Sequence, residues 1–234
     1  WAPAATGRRI MMAIAHAPLV MPGHDHIHRS AVLSGIARWA RHLDRAAPRV
    51  PDGPGRAEAA AGLLAAALLL PGGDERRTRA ESLMTETLGR LVHADGSAAA
   101  RSPLELARIG DLLLCCGAFY DARAQLRPDW LVGTLDRIRG ALAGLAMGDG
   151  IPAPWHGGQP TAEAMARLGA VGAAAAPGRL SGFQRLAAGR TVVVVDAGPP
   201  PPARLNAAAH ASTLALAISD GSRLLVTSCG GELG

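Results

Sequence analysis

The sequence predicts a multidomain α + β chain, helical over its first two-thirds and antiparallel β after that. Three observations carry the prediction. Apolar residues recur at spacings of three and four from His28 to Leu145. Short Pro/Gly segments cut this pattern into pieces of similar length. A β-branched run, Thr191-Val192-Val193-Val194-Val195, then follows.

Each element has its own signal. His28 to Ala47 places Val32, Ile36, Trp39 and Leu43 on one stripe, with Arg41 and Asp44 off it. Pro48 to Gly55 reads as a loop. Arg56 to Leu70 is apolar nearly all round, which predicts a helix buried among others. Pro71-Gly72-Gly73 ends it, and Asp74 is placed to cap the next helix, whose stripe is Ala80, Met84, Leu88 and Leu91. Ser102-Pro103-Leu104-Glu105 combines an N-cap, a first-turn proline and a capping-box glutamate, ahead of Leu106, Ile109, Leu113 and Cys116. A further helix starts near Asp129, with Leu131, Leu135, Ile138, Leu142 and Leu145 in register, and stops at Gly148-Asp149-Gly150. Short loops predict antiparallel neighbours, either a bundle or a curved array of helical hairpins such as an α/α toroid; spacing does not choose between them.

Beyond Gly150 the grammar changes. Ile151 to Gly158 is a Pro/Gly-rich connector. A short helix over Thr161 to Gly169 leads into an Ala/Gly linker. Arg190 to Ala197 predicts a strand, and Ser212 to Ile218 with Arg223 to Thr227 predicts a hairpin around Asp220-Gly221. The expected domains are a helical one over 1–158, a linker over 159–177 and a β domain over 178–234. So few strands leave an unpaired edge, which reads as a truncated sheet. A chain running from Trp1 to Gly234 likewise reads as a piece of a longer reading frame.

Composition narrows the function. Of the 234 residues, 49% are hydrophobic and 18% charged, which supplies a sizeable core and opposes disorder. Aromatics are 3%, too few for base-stacking platforms, so a nucleic-acid module is not expected. The formal charge is +5, and with no lysine all 24 cations are arginine. Arginine forks carboxylate and sulfate groups, which suits an anionic polymer; a GC-rich genome gives the same bias. The longest apolar run, Ala57 to Leu70, contains Glu58 and is too short to span a bilayer. No signal peptide is seen at the start. Cys115, Cys116 and Cys229 have no CxxC spacing and read as buried thiols.

Several residues could carry chemistry. His24-Asp25-His26-Ile27-His28 could bind a metal if extended, because alternate histidines would then share a face; the other reading is a polar loop before a helix. Arg101 precedes a capped helix start, as an anion-binding cation or as a solvated arginine. Tyr120, the one tyrosine, is a proton-transfer candidate or a core residue. His156 lies in a Gly-rich connector between domains, where clefts form. His210 begins a predicted strand. No GxSxG, Walker loop or strand–helix GxGxxG is present.

Taken in order, Trp1-Ala2-Pro3 with Gly7-Arg8-Arg9, His16-Ala17-Pro18-Leu19, and Ala37-Arg38-Trp39-Ala40-Arg41-His42-Leu43 resemble the helical part of bacterial heparinase II/III-like proteins. So do Ala94-Asp95-Gly96 leading to Arg101-Ser102-Pro103, and Gly148-Asp149-Gly150 leading to His156-Gly157-Gly158. The most specific stretches are Ser181-Gly182-Phe183-Gln184-Arg185-Leu186, Ala188-Gly189-Arg190-Thr191 and Asp196-Ala197-Gly198-Pro199-Pro200, with Ala209-His210-Ala211 and Leu214. The resemblance implies an incomplete α/α toroid followed by the first strands of an antiparallel β-sandwich. It implies a periplasmic lyase that cleaves a uronate-containing polysaccharide by β-elimination, with no nucleic acid and no membrane span. A base removes the proton beside the carboxylate, and neutralising that carboxylate eases the developing charge. On this reading Arg101 pairs with uronate or sulfate, and His156 and Tyr120 are proton-transfer candidates. A structural divalent metal, zinc or calcium, would sit in the β domain with His210 as a ligand.

The chain departs from the family pattern at three places. Asp52-Gly53-Pro54-Gly55-Arg56 replaces a stretch that often carries Asn-His. Ser97-Ala98-Ala99-Ala100 lacks the histidine many members have before Arg-Ser-Pro. His-x-His-x-Asp is reduced to Ala208-Ala209-His210-Ala211-Ser212, so a catalytic His position is Ala208 and a metal-ligand Asp position is Ser212. A non-catalytic glycan-binding relative on the same fold is the alternative.

Overall fold

A computed structural model describes residues 2–23, 25–172, 179–180 and 182–228. Among the described residues eight α-helices precede the strands: α1 (Pro3–Ala15), α2 (Ala17–Val20), α3 (His26–Ala46), α4 (Pro54–Leu69), α5 (Asp74–Leu91), α6 (Pro103–Asp121), α7 (Asp129–Leu145) and α8 (Ala162–Leu168). The strands are β1 (Arg179–Leu180), β2 (Phe183–Ala188), β3 (Thr191–Asp196), β4 (Leu216–Asp220) and β5 (Arg223–Val226). The chain divides into two compact units, one of residues 1–89 and 115–127, the other of residues 90–114 and 128–234.

In the first unit α1 and α4 form the tightest helix pair, and glycine makes their approach possible. A Cβ on Gly7 would lie 2.2 Å from the Glu58 carbonyl oxygen, and one on Gly62 would lie 2.3 Å from the Gly7 Cα. α3 packs on both helices through Ile36, Ala40 and Leu43, all at most 1% exposed. α4 is buried from Ala59 to Leu68, as its all-round apolar sequence predicts. Its first turn carries Arg56, whose Nη1 donates to the carbonyls of Pro48 and Val50 at 3.2 and 3.0 Å and whose Nε donates to Thr87 Oγ1 at 3.2 Å. The arginine thus fastens the preceding Pro-rich loop, where the family pattern often has Asn-His. α1 and α2 form where the sequence shows no helical stripe. Pro3 and Pro18 sit in their first turns, and the buried face of α1 is made of Thr6, Gly7, Ile10 and Met11, too mixed to stand out as an apolar period.

The second unit holds one antiparallel sheet in the order β1-β2-β3-β4-β5. β3 pairs with β2 through Arg185↔Val194 and with β4 through Val193↔Ile218. Along β3, Val192, Val194 and Asp196 are buried while Val193 and Val195 are half-buried, the two-residue alternation of a strand. That alternation sends the Asp196 carboxylate inward. α7 lies against β1 and β2. Two Asp-Gly turns end α5 and α7 in the same way: Asp95 Oδ1 accepts the Ser97 N–H at 3.0 Å, and Asp149 Oδ1 accepts the Ile151 N–H at 2.9 Å. The second turn docks on the β4–β5 hairpin, where the Gly148 N–H donates to Ser219 Oγ at 2.9 Å.

The starts of α3 to α8 fall within two residues of those expected, while α5 and α7 end about a turn earlier, and Ser102 Oγ accepts the Glu105 N–H at 3.2 Å as its cap signal predicts. The predicted hairpin is β4–β5, but its first strand begins at Leu216 rather than Ser212. His210 therefore sits in a loop and not at a strand start. Cys116 is fully buried, Cys115 is half-buried, and Cys229 lies outside the described residues.

Candidate functional site

The second unit gathers Arg101, His156 and His210, three of the residues singled out in the sequence, around a fourth group that sequence reasoning missed, Asp196. Arg101 and His156 come from the loops after α5 and α7, Asp196 from the end of β3, and His210 and Ser212 from the loop before β4. The signal for Asp196 was legible: a carboxylate in register with Val192 and Val194 at the end of a core strand, followed by Ala-Gly-Pro.

Asp196 is saturated with donors. Its Oδ1 accepts from Arg101 Nη2, and its Oδ2 accepts from His156 Nε2 at 3.1 Å and from the Ser212 hydroxyl. Burial pushes this carboxyl up, but the hydrogen bonds from His156 and Ser212 and the charge of Arg101 outweigh it and hold it below the ordinary carboxylate range. Burial depresses Arg101, with Asp196 opposing; guanidinium still stays charged. Arg101 is 5% exposed and His156 3%. The guanidinium lies 4.7 Å from the Phe183 ring centroid and rests on two glycines. A Cβ on Gly198 would sit 1.8 Å from Arg101 Nη1, and one on Gly182 would sit 2.6 Å from it.

The backbone is strained around this cluster. Arg101 has φ 59°, His156 φ 39° and Leu214, whose N–H donates to the Asp196 carbonyl at 2.7 Å, φ 66°. With Ala124 these are the positive-φ non-glycine residues among the described residues. Such conformations cost about 1–3 kcal/mol each and persist where surrounding contacts fix them.

The arrangement is not a Ser-His-Asp relay. Ser212 Oγ lies 2.9 Å from His156 Nε2, the same nitrogen that bonds Asp196, whereas a relay needs the two partners on opposite nitrogens. Since a carboxylate only accepts, Nε2 carries the proton; Nδ1 faces the His210 backbone N–H at 3.5 Å. His210 stacks on His156 with centroids 5.1 Å apart and planes inclined at 24°. Its pKa is lowered, by burial first and by His156 next, with Asp196 opposing.

The donor set does not fit the divalent metal that the family pattern implies. Both nitrogens of His156 are occupied, Asp196 already faces a guanidinium, and Ser212 stands at a carboxylate position. Among the described residues no group of three His, Cys, Asp or Glu side chains could hold a metal. The His24–His28 segment fails for a different reason. α3 starts at His26, Asp25 caps it by accepting from the Ile27 and His28 N–H groups at 3.0 Å, and His28 Nε2 bonds the Val20 carbonyl at 2.8 Å. The alternating extended strand does not form; His24 lies outside the described residues.

Tyr120 has its contacts in the first unit. It is fully buried, donates to Glu81 Oε1 at 2.6 Å and lies under Arg77, whose Nε bonds the same carboxylate at 2.7 Å. Burial raises its pKa, and the hydrogen bond and charge of Glu81 raise it further, away from the value a base needs near neutral pH. The first unit also carries a groove along α3 lined by Ala31, Ser34, Ala37, Arg38 and Arg41, continuing past Leu33 to Leu70, Pro71 and Arg76. Arg76 is held by Asp44, Nη2 to Oδ2 at 3.0 Å, but Arg38 and Arg41 are exposed and have no carboxylate partner among the described residues.

Helices followed by this antiparallel sheet, with the Arg101, His156 and Asp196 segments brought together, form an arrangement similar to that of heparinase structures. Residues 170–233 match the family described as "Heparinase II/III-like, C-terminal". Across 98% of its length the chain shares its fold with heparan sulfate lyase HepC from Pedobacter heparinus (TM-score 0.72, 17% identity, 41% of that chain). It matches the crystal structure of heparinase III at a TM-score of 0.77 with 11% identity, covering 43% of that chain. The fold class implied by the resemblance, helical hairpins of an α/α toroid and then the first strands of a β-sandwich, is therefore the fold of this chain. FtsZ-localized protein C of Caulobacter vibrioides is 28% identical over 235 residues, covering 98% of this chain and 41% of that protein. The chain thus spans about two-fifths of the length of these proteins.

Proposed function

We propose that this chain belongs to a non-catalytic heparinase-fold protein that binds an anionic glycan without cleaving it. One observation carries the reading. Arg101 and His156, the groups on matched segments that would neutralise a uronate and move a proton, are both buried and both committed to Asp196. A guanidinium already spent on an internal carboxylate has no face to offer a substrate carboxylate. The α3 groove supports glycan binding instead, because Arg38 and Arg41 present two uncompensated cations beside the Ser34 hydroxyl. The relative FtsZ-localized protein C, similar across 98% of this chain, is named for where it is found and not for a reaction.

The test is chromatography on immobilised heparin. Retention that falls with salt, and falls further for Arg38→Ala/Arg41→Ala, supports the reading; passage at physiological salt without retention refutes it.

The shared fold with heparan sulfate lyase HepC favours a second reading, polysaccharide lyase. There Arg101 pairs with uronate, and His156 and Tyr120 transfer protons. It requires the Asp196 network to open, and it fails if product formation is unchanged in Arg101→Ala, His156→Ala and Tyr120→Phe. Periplasmic location goes with either glycan reading, and cell fractionation that finds the protein elsewhere removes it. The proposed domain division remains 1–158 helical, 159–177 linker and 178–234 β.

A further inference from the structure

We propose that a guanidinium does the work of a divalent cation in the β domain. Arg101 neutralises Asp196, and His156, Ser212 and His210 close around the pair as hydrogen-bonding and stacking partners rather than as metal ligands.

The argument begins with lone pairs. A zinc or calcium ion needs oxygen or nitrogen lone pairs converging on one point, at about 2.0–2.6 Å. Asp196 directs both oxygens at donors: Oδ1 at Arg101 Nη2 and, more weakly, at the Gly198 N–H at 3.5 Å, Oδ2 at His156 and Ser212. His156 Nε2 carries a proton and so has no lone pair to give. His210 Nε2 is buried and lacks a hydrogen-bond partner among the described residues, which is the one feature that invites an ion. Yet its ring is stacked on that of His156, with planes only 24° apart. An imidazole binds a metal in its own plane, and two nearly parallel stacked planes meet far beyond a metal–nitrogen bond length. The two histidines cannot share an ion in this arrangement.

Charge leads to the same conclusion. A cation at this cluster would stand beside the Arg101 guanidinium in a dry interior, where like charges repel most strongly. The family pattern implies a carboxylate where this chain has Ser212. The hydroxyl donates to Asp196, which a carboxylate could not do. Gly182 and Gly198 complete the device, since any side chain there would collide with the guanidinium. Two positions of the family pattern are changed, a neutral donor at 212 and alanine at 208, beside an arginine seated on a glycine floor.

The experiment is thermal unfolding of the 234-residue chain with chelator and with added zinc or calcium, together with metal analysis of the purified protein. The expected result is one melting temperature under all these conditions and no stoichiometric metal. A site filled at about 100 times its dissociation constant would raise the melting temperature by roughly 5–10 °C. Such a rise, a fall with chelator, or co-purified metal that is lost in His210→Gln overturns the proposal. The wild-type measurement stands even if Arg101→Met fails to fold, and its outcome is independent of whether the protein binds glycan.

Discussion

Replacing Arg101 by methionine should destabilise the second unit markedly. Methionine keeps most of the stem volume but leaves Asp196, 2% exposed, with its charge opposed only by neutral hydrogen bonds from Ser212 and His156. Removing one partner of a buried ion pair typically costs about 3–5 kcal/mol. The remaining donors, and partial protonation of Asp196 once its counter-charge is gone, place the expected loss at the low end, about 3 kcal/mol. For a chain of this size that lowers the melting temperature by roughly 6–12 °C. Asp196→Asn alone should cost a similar amount by taking the carboxylate charge away from Arg101 Nη2. The double variant should be less destabilised than the sum, since neutralising both members removes the unpaired charge. Differential scanning calorimetry of the four proteins measures the coupling. A loss below about 0.5 kcal/mol for Arg101→Met, or strict additivity in the double variant, would refute the reasoning.

Further predictions follow from the same geometry. Gly198→Ala places a methyl group 1.8 Å from Arg101 Nη1 and should destabilise by about 1–3 kcal/mol, read from urea midpoints at constant m-value. His210 has its pKa lowered in the folded state, so the unfolded chain binds its proton more readily. Its contribution is present above about pH 6.5 and is lost as the pH falls below that value, so melting temperature should drop on acidification in this range and the slope should flatten in His210→Gln. Gly62→Val drives a branched side chain into the Gly7 backbone, and should abolish cooperative unfolding of the first unit as seen by circular dichroism. Tyr120→Phe removes one hydrogen bond to Glu81 and should cost about 1 kcal/mol with heparin retention unchanged; loss of retention would reinstate Tyr120 as a ligand-binding group.

What could be read from the sequence was what period and punctuation encode. The stripes of α6 and α7 are buried as predicted, because a core-facing helix must repeat every three to four residues. The Ser102-Pro103 start and the Gly148 stop are local chemistry and were equally legible. α1 was not, because its packing depends on the close approach of Gly7 to Gly62, a contact between residues far apart in the chain. The site shows the same division. Arg101, His156 and His210 stood out as chemistry-bearing residues in matched segments, but nothing local announces that they converge on Asp196. Arg101 in particular looks like a solvated residue before a cap; its burial follows from the inward-facing carboxylate at the end of β3, which strand alternation predicts once the strand's face is known. Tyr120 stood out for its rarity, which says nothing about where its hydroxyl points.

The most direct test of the central claim, that Arg101 and His156 form an internal strut and not a substrate site, is a turnover assay. Wild-type protein and a His156→Ala variant shown to be folded are incubated with heparan sulfate and with alginate, and the unsaturated uronate ends are followed by their ultraviolet absorbance. The account predicts no product from either protein on either substrate. Product that grows with wild-type concentration and disappears in His156→Ala would contradict it and establish the lyase.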